Sequence, residues 1–318
     1  MMNTRFLYFV FIGICMSQFA AGQISWQIAD TDFGLLPAGF HVYKTADSLD
    51  GRPFLAYYAI ADLKNKKLVF STDTSMGRRL SPREYYQKNN NPLLVVNAGF
   101  FSFNTNQNLN LVIKDGKLLS YNIHNLAAKG KDTLTFRHPW NGALGINNHR
   151  EADIAWVFTD SGYRWAYASQ QPVKPLHDSM AVIHVKQYKG YDIKKWKMKT
   201  AVAGGPVLLQ NGQILISNDE ELKFSGKAKY DFHPRTIIGY TYDHKIIVLL
   251  VEGRHKGIAD GASLIQCAQI MKDLGCAEAL NLDGGGSSCM LINGKETIWP
   301  SDKGLQRKVP AVFLIEAR

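Results

Sequence analysis

The sequence predicts an α+β protein, organised as a single domain with mixed or antiparallel β-sheets, a few helices and an active site at strand ends. About a dozen short runs of apolar, β-branched or aromatic residues are bounded by Gly, Pro, Asn and Asp, as strands usually are. Few segments have a helical pattern, and they do not alternate regularly with the strands. Since no linker, internal repeat or composition shift divides the chain, one domain is predicted.

The predicted strands follow one another along the whole chain after the N-terminal segment. They are 40–43, 54–61, 67–71, 93–96, 109–113, 118–121, 140–147, 153–158, 181–185, 207–209, 214–216, 237–242, 246–251, 279–282, 289–292 and 311–315. Asp115-Gly116, Asn211-Gly212 and Asn293-Gly294 are hairpin signals, because Asn and Asp before Gly suit tight turns with positive φ.

Two helix starts have a physical explanation. Ser81 precedes Pro82 and lies three residues before Glu84, which predicts a capping box at the start of a short helix. Ser263 opens the longest predicted helix, which ends at Gly275. The segment 170–199 gives little signal. The polar segment 217–231 predicts a mobile surface loop.

Residues 1–22 have the composition of a secretory signal peptide. Arg5 is the only charged residue, an apolar run covers 6–16, and small residues lead to a predicted cleavage after Gly22. The remaining domain would then be residues 23–318. The sequence therefore predicts an exported protein, periplasmic or secreted.

One alternative for the N-terminus is a lipoprotein signal at Cys15, although Ile14 is bulky where a small residue is expected. No later stretch has the ~18 unbroken apolar residues needed to span a bilayer, so no transmembrane segment is predicted in the mature chain. The chain also has no Asn-x-Ser/Thr acceptor for glycans, which favours a bacterial envelope.

The chain is basic, with a formal net charge of +10. Without Arg5 the balance becomes 36 basic minus 27 acidic residues, or +9. Such a charge suits polyanions. The lysines are scattered and no nucleic-acid motif accompanies them, so nucleic acid is not predicted. The charge makes an anionic glycan or an anionic lipid the candidate partner, and a merely solvating basic surface is the alternative.

Three cysteines remain in the mature chain, Cys267, Cys276 and Cys289. An odd number allows at most one internal disulfide, and the spacings do not match a zinc site, so buried thiols are predicted. No cofactor is predicted. An Asp-centred Ca²⁺ or Mg²⁺ site stays an open alternative.

The segment 279–294 has the composition of a binding site. An apolar run leads to Asp283, which is followed by Gly284, Gly285 and Gly286 and then by two serines. Three successive glycines weaken regular structure, so their presence indicates a special backbone conformation or a close approach. Asp283 beside free backbone N–H groups could hold a ligand. The alternative is an ordinary tight turn capped by Asp283.

The order of five motifs resembles the phosphodiester glycosidase family, over roughly Leu93 to the C-terminus. The motifs are VNAGFF (96–101), AGGPVLLQNG (203–212), HPRTIIGYT (233–241), VEGR (251–254) and ALNLDGGGSS (279–288). The resemblance implies hydrolysis of the bond between a sugar anomeric carbon and a phosphodiester oxygen, and it alone implies a glycosyl phosphodiester as the substrate. Two departures are Cys289, where many members have Thr, and 104–110, which replaces a glycine-rich segment.

The resemblance also implies site residues. Asp283 and Glu252 would be the catalytic carboxylates, with the roles of nucleophile and general acid or base open between them. The implied substrate-binding residues are Asn97, Gly205, Arg235, Thr236, Arg254, Asn281, Gly284, Gly285, Ser288 and Arg307. Because each lies where an apolar run ends, Asn97, Arg235, Glu252 and Asp283 are expected to converge on one cleft.

The residue types themselves fit this chemistry. The planar guanidinium of Arg binds phosphate oxygens in pairs, and ordinary surface ion pairing is the alternative for Arg235, Arg254 and Arg307. The alternative for Glu252 is a salt bridge with Arg254. His233 could act near neutral pH or be structural, since it precedes a proline. Two other functions stay open: a non-catalytic glycan-binding protein, and a metal-dependent phosphodiesterase that cuts the P–O bond.

Overall fold

A computed structural model describes residues 24–128, 132, 134–160, 162 and 164–318. The predicted signal peptide, residues 1–22, lies outside the described residues. Among the described residues, none of the helices has both the length and the apolar character needed to cross a bilayer.

The described chain is built mainly of short strands. In chain order they are β1 (Gln27–Ile28), β2 (Phe40–Thr45), β3 (Ser48–Leu49), β4 (Arg52–Pro53), β5 (Ala56–Asp62), β6 (Leu68–Thr74), β7 (Leu94–Asn97), β8 (Val112–Lys114), β9 (Lys117–Ser120), β10 (Leu126–Ala127), β11 (Phe136–His138), β12 (Asn141–Ile146), β13 (Ala152–Thr159), β14 (Ala166–Ser169), β15 (Leu176–Asp178), β16 (Lys194–Trp196), β17 (Thr200–Ala203), β18 (Val207–Gln210), β19 (Gln213–Ile214), β20 (Arg235–Thr241), β21 (Lys245–Val251), β22 (Cys276–Asn281), β23 (Met290–Ile292), β24 (Lys295–Glu296) and β25 (Ala311–Ala317).

The helices are few and short. The α-helices are α1 (Pro82–Lys88), α2 (Asn218–Glu221) and α3 (Leu264–Asp273), and the 3₁₀ turns are Asp30–Phe33, Val185–Gln187, Ala228–Tyr230 and Gly285–Ser287. The predicted capping boxes are confirmed at Ser81 and Ser263, whose side chains accept from the backbone N–H three residues on.

Three larger sheets form the body of the protein. Their strand orders are β1-β2-β5-β21-β20-β22-β18-β19, β16-β14-β13-β12-β17-β8-β9 and β24-β23-β7-β25-β6. Two small sheets, β10-β11-β15 and β3-β4, complete the set within the described residues. Every pairing of these strands is antiparallel, so of the two predicted alternatives, mixed or antiparallel, the antiparallel one holds.

The largest hydrophobic cluster draws on all three larger sheets. Trp156 comes from β13 in the seven-stranded sheet, Ile238 from β20 in the eight-stranded sheet, and Phe313 from β25 in the five-stranded sheet. Helix α3 covers another face of the eight-stranded sheet, burying Leu264 and Met271 there. This shared core fits the α+β prediction of one body of sheets with few helices.

Pairing in the eight-stranded sheet brings three chain segments together at one end of its strands. In antiparallel register, Ile237 of β20 faces Asn281 of β22, and Arg235 faces Val251 of β21. The start of β20 therefore lies beside the ends of β21 and β22. The segments that follow β21 and β22 therefore begin at this end of the sheet.

Two predictions about local structure are wrong. Residues 181–185 form no strand; an irregular stretch leads into the 3₁₀ turn Val185–Gln187. The polar segment 217–231 is not simply a surface loop, because α2 buries Asn218 and Glu221. A polar residue can be buried when the fold supplies hydrogen-bond partners.

The cysteine prediction agrees with the structure. Cys267, Cys276 and Cys289 are free and buried, and burial raises the pKa of the Cys267 thiol to about 12. At neutral pH this thiol is protonated and packs as a small apolar side chain.

Candidate functional site

A cavity of about 240 Å³ lies at the end of the eight-stranded sheet where β20 begins and β22 ends. We call it the arginine cavity. The described residues that line it are Phe100, Phe224, Ala228, His233, Arg235, Arg254, Asp283, Gly284, Gly285, Gly286 and Arg307. Six of the predicted site residues are therefore brought together: Asp283, Arg235, Arg254, Gly284, Gly285 and Arg307.

Asp283 is the carboxylate among the described lining residues of the arginine cavity. Its backbone N–H donates to Ala98 O (3.0 Å), and its Oδ1 accepts from the backbone N–H of Gly284 (3.0 Å). Desolvation raises the pKa of Asp283 to about 6, although Ser287, the Gly284 N–H and the Arg307 charge act in the opposite direction. The carboxyl group can therefore change protonation state near neutral pH.

Arg235 brings a buried positive charge to the cavity. It is 3% exposed, and its guanidinium donates to Ala262 O (3.0 Å) and Asp231 O (2.8 Å). Burial lowers the pKa of Arg235, but a guanidinium stays protonated at neutral pH. Since these partners are neutral carbonyls, the charge is free to attract an anion.

Arg254 and Arg307 lie against the glycine turn. A Cβ placed on Gly285 would come within 2.9 Å of Arg254 Nη2, and one on Gly286 would overlap the Arg307 guanidinium. Gly285 also has φ of +59°, which a side chain disfavours. The glycines thus let two guanidinium groups approach the backbone that follows Asp283. Both predicted reasons for the glycine run are therefore present, a positive φ at Gly285 and a close approach at Gly285 and Gly286.

The two arginines differ in their partners. Arg307 Nε donates to Asp302 Oδ2 at 2.8 Å, so the predicted alternative of an ion pair holds for this residue. Arg254 Nη2 lies 3.4 Å from His233 Nδ1. Desolvation and the charges of Arg235 and Arg254 lower the pKa of His233, so its ring is neutral at pH 7 and can accept this hydrogen bond.

Glu252 does not line the arginine cavity with Asp283. Its Oε1 contacts His255 Nδ1 at 2.8 Å, and its Oε2 accepts from the backbone N–H of Trp299 at 3.0 Å. The predicted alternative, a salt bridge with Arg254, is also wrong, because His255 is the partner. The strand end was located correctly, but the side chain turns towards the Trp299 segment.

Asn97 is likewise absent from the lining of the cavity. It is fully buried; its Nδ2 donates to the backbone oxygen of Asp283 (2.7 Å), and its Oδ1 accepts from Thr236 Oγ1 (2.9 Å) and the Cys289 N–H (3.2 Å). The expected convergence of four side chains therefore holds for Arg235 and Asp283 and is corrected for Asn97 and Glu252.

The other four predicted residues, Thr236, Ser288, Asn281 and Gly205, also lie outside the cavity lining and hydrogen-bond to one another in pairs. Thr236 Oγ1 is 3.2 Å from Ser288 Oγ, and both are buried. Asn281 Nδ2 donates to Gly205 O at 2.9 Å, and the Gly205 N–H donates to Asn281 O at 2.8 Å. These contacts hold the end of β22 against neighbouring segments and leave no side chain of the four on the cavity wall.

Five lining residues were not predicted as binding or catalytic residues: His233, for which the sequence left a functional and a structural role open, and Phe100, Phe224, Ala228 and Gly286. The last four had no predicted role. Phe100 and Gly286 lie within the quoted motifs VNAGFF and ALNLDGGGSS, so a signal existed for both. Phe224 and Ala228 belong to the polar segment 217–231, where nothing in the sequence marks them.

The site can hold an anion beside one carboxylate. Three guanidinium groups and one titratable carboxyl group share a small cavity, an arrangement that suits a phosphate oxygen pair next to a reacting carbon. In the described part of the chain, no group of three or more His, Cys, Asp or Glu side chains is arranged to hold a metal ion.

Comparison with known proteins identifies a family of matching sequence. Residues 90–316 match the family described as phosphodiester glycosidase. The mouse (Mus musculus) N-acetylglucosamine-1-phosphodiester alpha-N-acetylglucosaminidase is 24% identical over 217 residues, which cover 66% of this chain and 33% of the mouse protein. The bovine (Bos taurus) enzyme of the same name is 29% identical over 103 residues, covering 30% and 19% of the two chains. The chain thus spans about a third of the length of the mouse relative.

Two solved structures share the fold. The catalytic domain of the zebrafish enzyme of that name, described as auto-inhibited by its pro-peptide, aligns with a TM-score of 0.61 at 19% identity, covering 92% of this chain and 88% of the zebrafish chain. A hypothetical protein from Synechocystis aligns with a TM-score of 0.63 at 16% identity, covering 88% and 62% of the two chains.

Proposed function

Because the chain belongs to the phosphodiester glycosidase family, we propose that it hydrolyses a sugar-1-phosphodiester at the bond between the anomeric carbon and the phosphodiester oxygen. The observation that carries the proposal is the arginine cavity, which Arg235, Arg254 and Arg307 line together with Asp283. Guanidinium groups match phosphate oxygens, and a carboxylate suits an oxocarbenium-like centre.

In this proposal each group has a distinct task. The arginines bind the phosphate and stabilise it as it leaves. Asp283 in its ionised form supports the positive charge that develops at the anomeric carbon, or bonds to that carbon. Since phosphate is already a good leaving group, a second carboxyl group is less necessary here than in most glycosidases. Glu252 stays a proposed second carboxylate of the reaction, although its side chain contacts His255 and the Trp299 N–H and lies outside the cavity lining.

We further propose that the substrate is an extracytoplasmic glycan or capped sugar phosphate. The composition of residues 1–22 supports export, and the net charge of +10 supports an anionic substrate. The mouse and bovine relatives are named for removal of N-acetylglucosamine from a phosphodiester. An N-acetylglucosamine 1-phosphodiester is therefore the first substrate to assay.

Exchange of Asp283 for Asn tests the catalytic assignment. The amide has nearly the same shape and can still accept from the Gly284 N–H, so the fold is expected to persist while turnover falls by a factor of at least about 1000. Release of N-acetylglucosamine from its methyl phosphodiester is the readout. Asp115→Asn, which changes an exposed carboxylate outside the cavity lining at a turn position that Asn tolerates, is the matched control. Normal turnover by Asp283→Asn would contradict the assignment.

Solvent labelling distinguishes the bond that breaks. In ¹⁸O-water, hydrolysis at the anomeric carbon puts the label in the sugar, whereas cleavage of the P–O bond by a metal-dependent phosphodiesterase puts it in the phosphate. Mass spectrometry of both products gives the answer. Label in the phosphate would overturn the proposal.

A second candidate is a glycan-binding protein without turnover. The observation that favours it is the position of Glu252, which leaves Asp283 as the carboxylate among the described residues lining the cavity. Many glycosidases need two such groups. Tight binding of the phosphodiester without product release would support this candidate.

A further inference from the structure

A second cavity, of about 510 Å³, adjoins the arginine cavity. Phe224 lines both cavities, so a single aromatic side chain forms the partition between them. Lys223, Arg137 and Leu222 are among the residues lining the second one. We call it the lysine cavity.

The Phe224 side chain packs against a second aromatic ring, and each of the two rings has a cation beside it. The rings of Phe224 and Phe100 meet edge to face with their centres 6.0 Å apart. The Arg235 guanidinium lies 5.8 Å from the Phe224 ring centre, and Lys223 Nζ lies 5.2 Å from the Phe100 ring centre. Arg235 and Lys223 thus each contact one ring of the same aromatic pair, and each lines one of the two cavities.

Lys223 has donors left for a ligand. Its Nζ contacts Asn141 Oδ1, and no salt bridge in the described part of the chain includes it. The nearby Glu221 already accepts from the Gly142 N–H (2.8 Å), the Val207 N–H (2.8 Å) and the Ser217 hydroxyl (2.6 Å). Glu221 and Lys223 form no ion pair within the described residues, although the charge of Glu221 raises the pKa of Lys223. Burial acts more strongly and lowers the pKa of Lys223 to about 8, so its ammonium group is still mostly protonated at pH 7.

The remaining polar groups of the lysine cavity strengthen its positive character. Arg137 is exposed at the wall, and no ion pair of the described residues involves it. The carboxylate of Asp219 also lines the cavity, but its Oδ1 accepts from Asn218 Nδ2 at 3.0 Å. Two cations thus face one partly engaged carboxylate.

A phosphodiester carries two substituents, and the arginine cavity provides a place for the phosphate and the sugar. We propose that the lysine cavity receives the second substituent, and that Lys223 and Arg137 bind a further phosphate or carboxylate on it. The inference rests on the proposed function and narrows it: the preferred substrates are sugar-1-phosphodiesters whose second alcohol is itself anionic, as in a phosphodiester polymer.

A pair of substrates tests this directly. One is the diester of α-N-acetylglucosamine 1-phosphate with methanol, and the other is its diester with glycerol 3-phosphate, which adds a second phosphate. The readout is the ratio of kcat/KM for the glycerophosphate diester to that for the methyl diester. Lys223→Met is expected to lower the ratio about tenfold, the effect of losing a charged hydrogen bond. Arg137→Gln is expected to lower it severalfold.

The controls separate binding from folding. Lys227→Met removes an exposed lysine four residues away that does not line the cavity, and the ratio should be unchanged. If Lys223→Met fails to fold because Glu221 is nearby, the exposed Arg137→Gln variant decides. Unchanged ratios in the folded cavity variants would overturn the inference, while turnover of both diesters would leave the proposed function standing. Failure of the wild-type protein to cleave either diester would overturn the proposed function and the inference with it.

Discussion

Asp283 is the residue at which we expect the proposed reaction to respond to pH. Its carboxyl group follows a buried strand, accepts from the Gly284 N–H and is removed from most solvent. Burial disfavours the charged form, and the Arg307 charge offsets this only in part, so the pKa rises to about 6.

The raised pKa gives a signed prediction for activity. If ionised Asp283 reacts, kcat/KM on the methyl phosphodiester should be constant above about pH 7 and fall as pH drops through about 6, by nearly tenfold per unit below that. Stopped assays of kcat/KM at pH values from 4.5 to 8.5 cover both sides of the Asp283 pKa of about 6 and measure this decline.

His233 is the control for this pH limb, because it also lines the cavity and titrates below its ordinary pKa. The limb should persist in His233→Gln. Activity that instead rises as pH drops through 6 would show that the protonated carboxyl group acts, contrary to the prediction.

At the scale of elements, the site depends on contacts between sheets. Asn97 at the end of β7, in the five-stranded sheet, donates to the backbone oxygen of Asp283, which follows β22 of the eight-stranded sheet. The same side chain accepts from Thr236 at the start of β20. One buried amide therefore joins two sheets at the point where the proposed catalytic residue Asp283 follows its strand, so we propose Asn97 as a positioning residue.

The short helix α2 has a comparable role on the other side of the site. Its last residue, Glu221, is 1% exposed and joins three segments: the Gly142 N–H in β12, the Val207 N–H in β18 and the Ser217 hydroxyl. Desolvation raises the pKa of Glu221 above its ordinary value. Three donors on one buried carboxylate indicate a structural anchor for the polar segment 217–231.

Removal of this anchor should destabilise the protein. Glu221→Ala leaves the two backbone N–H groups and the hydroxyl without their acceptor, and each unsatisfied buried donor costs about 1–3 kcal/mol. We expect a loss of at least about 3 kcal/mol in the free energy of unfolding, measured by urea denaturation. Glu220→Ala, one residue earlier and more exposed, should change it by less than about 0.5 kcal/mol. Equal values for both variants would refute the anchor.

The sequence predicted those features that depend on local signals. Helix starts at Ser81 and Ser263 and the glycine turn after Asp283 are written in neighbouring residues, and the structure has them. The burial of Glu221 could not be predicted, because its partners Gly142 and Val207 come from distant strands. A polar segment predicts exposure unless those partners are known.

The same limit, that contacts between distant segments cannot be read from sequence, explains which site residues were predicted correctly. Arg235 and Asp283 line one cavity because antiparallel pairing places the start of β20 beside the end of β22, and strand ends can be read from sequence. The direction of a side chain at a strand end cannot be read in that way. Glu252 turns to His255 and Trp299, and Asn97 turns inward, so the sequence located their backbones but not their contacts.

At the scale of the whole molecule, we propose that net charge guides the encounter with an anionic substrate. Residues 23–318 have 36 basic and 27 acidic side chains, a formal charge of +9 that attracts polyanions over distances comparable to the Debye length, about 8 Å at physiological ionic strength and longer at low salt. Such steering acts on encounter and not on the chemical step. A polymer with many phosphates gains more from it than a small ester with one.

We therefore expect kcat/KM on a polymeric phosphodiester glycan to fall by about tenfold between roughly 10 mM and 150 mM NaCl, while kcat on the methyl diester changes by less than about twofold. Initial rates at both NaCl concentrations measure this salt dependence. The buffers contain no divalent cations, because these would screen the phosphates of the polymer. Variants that remove scattered lysines away from both cavities, such as Lys64→Gln with Lys66→Gln, should weaken the salt dependence without altering kcat. Equal salt dependence for polymer and methyl diester would mean that the basic surface keeps the protein in solution and does not guide the substrate.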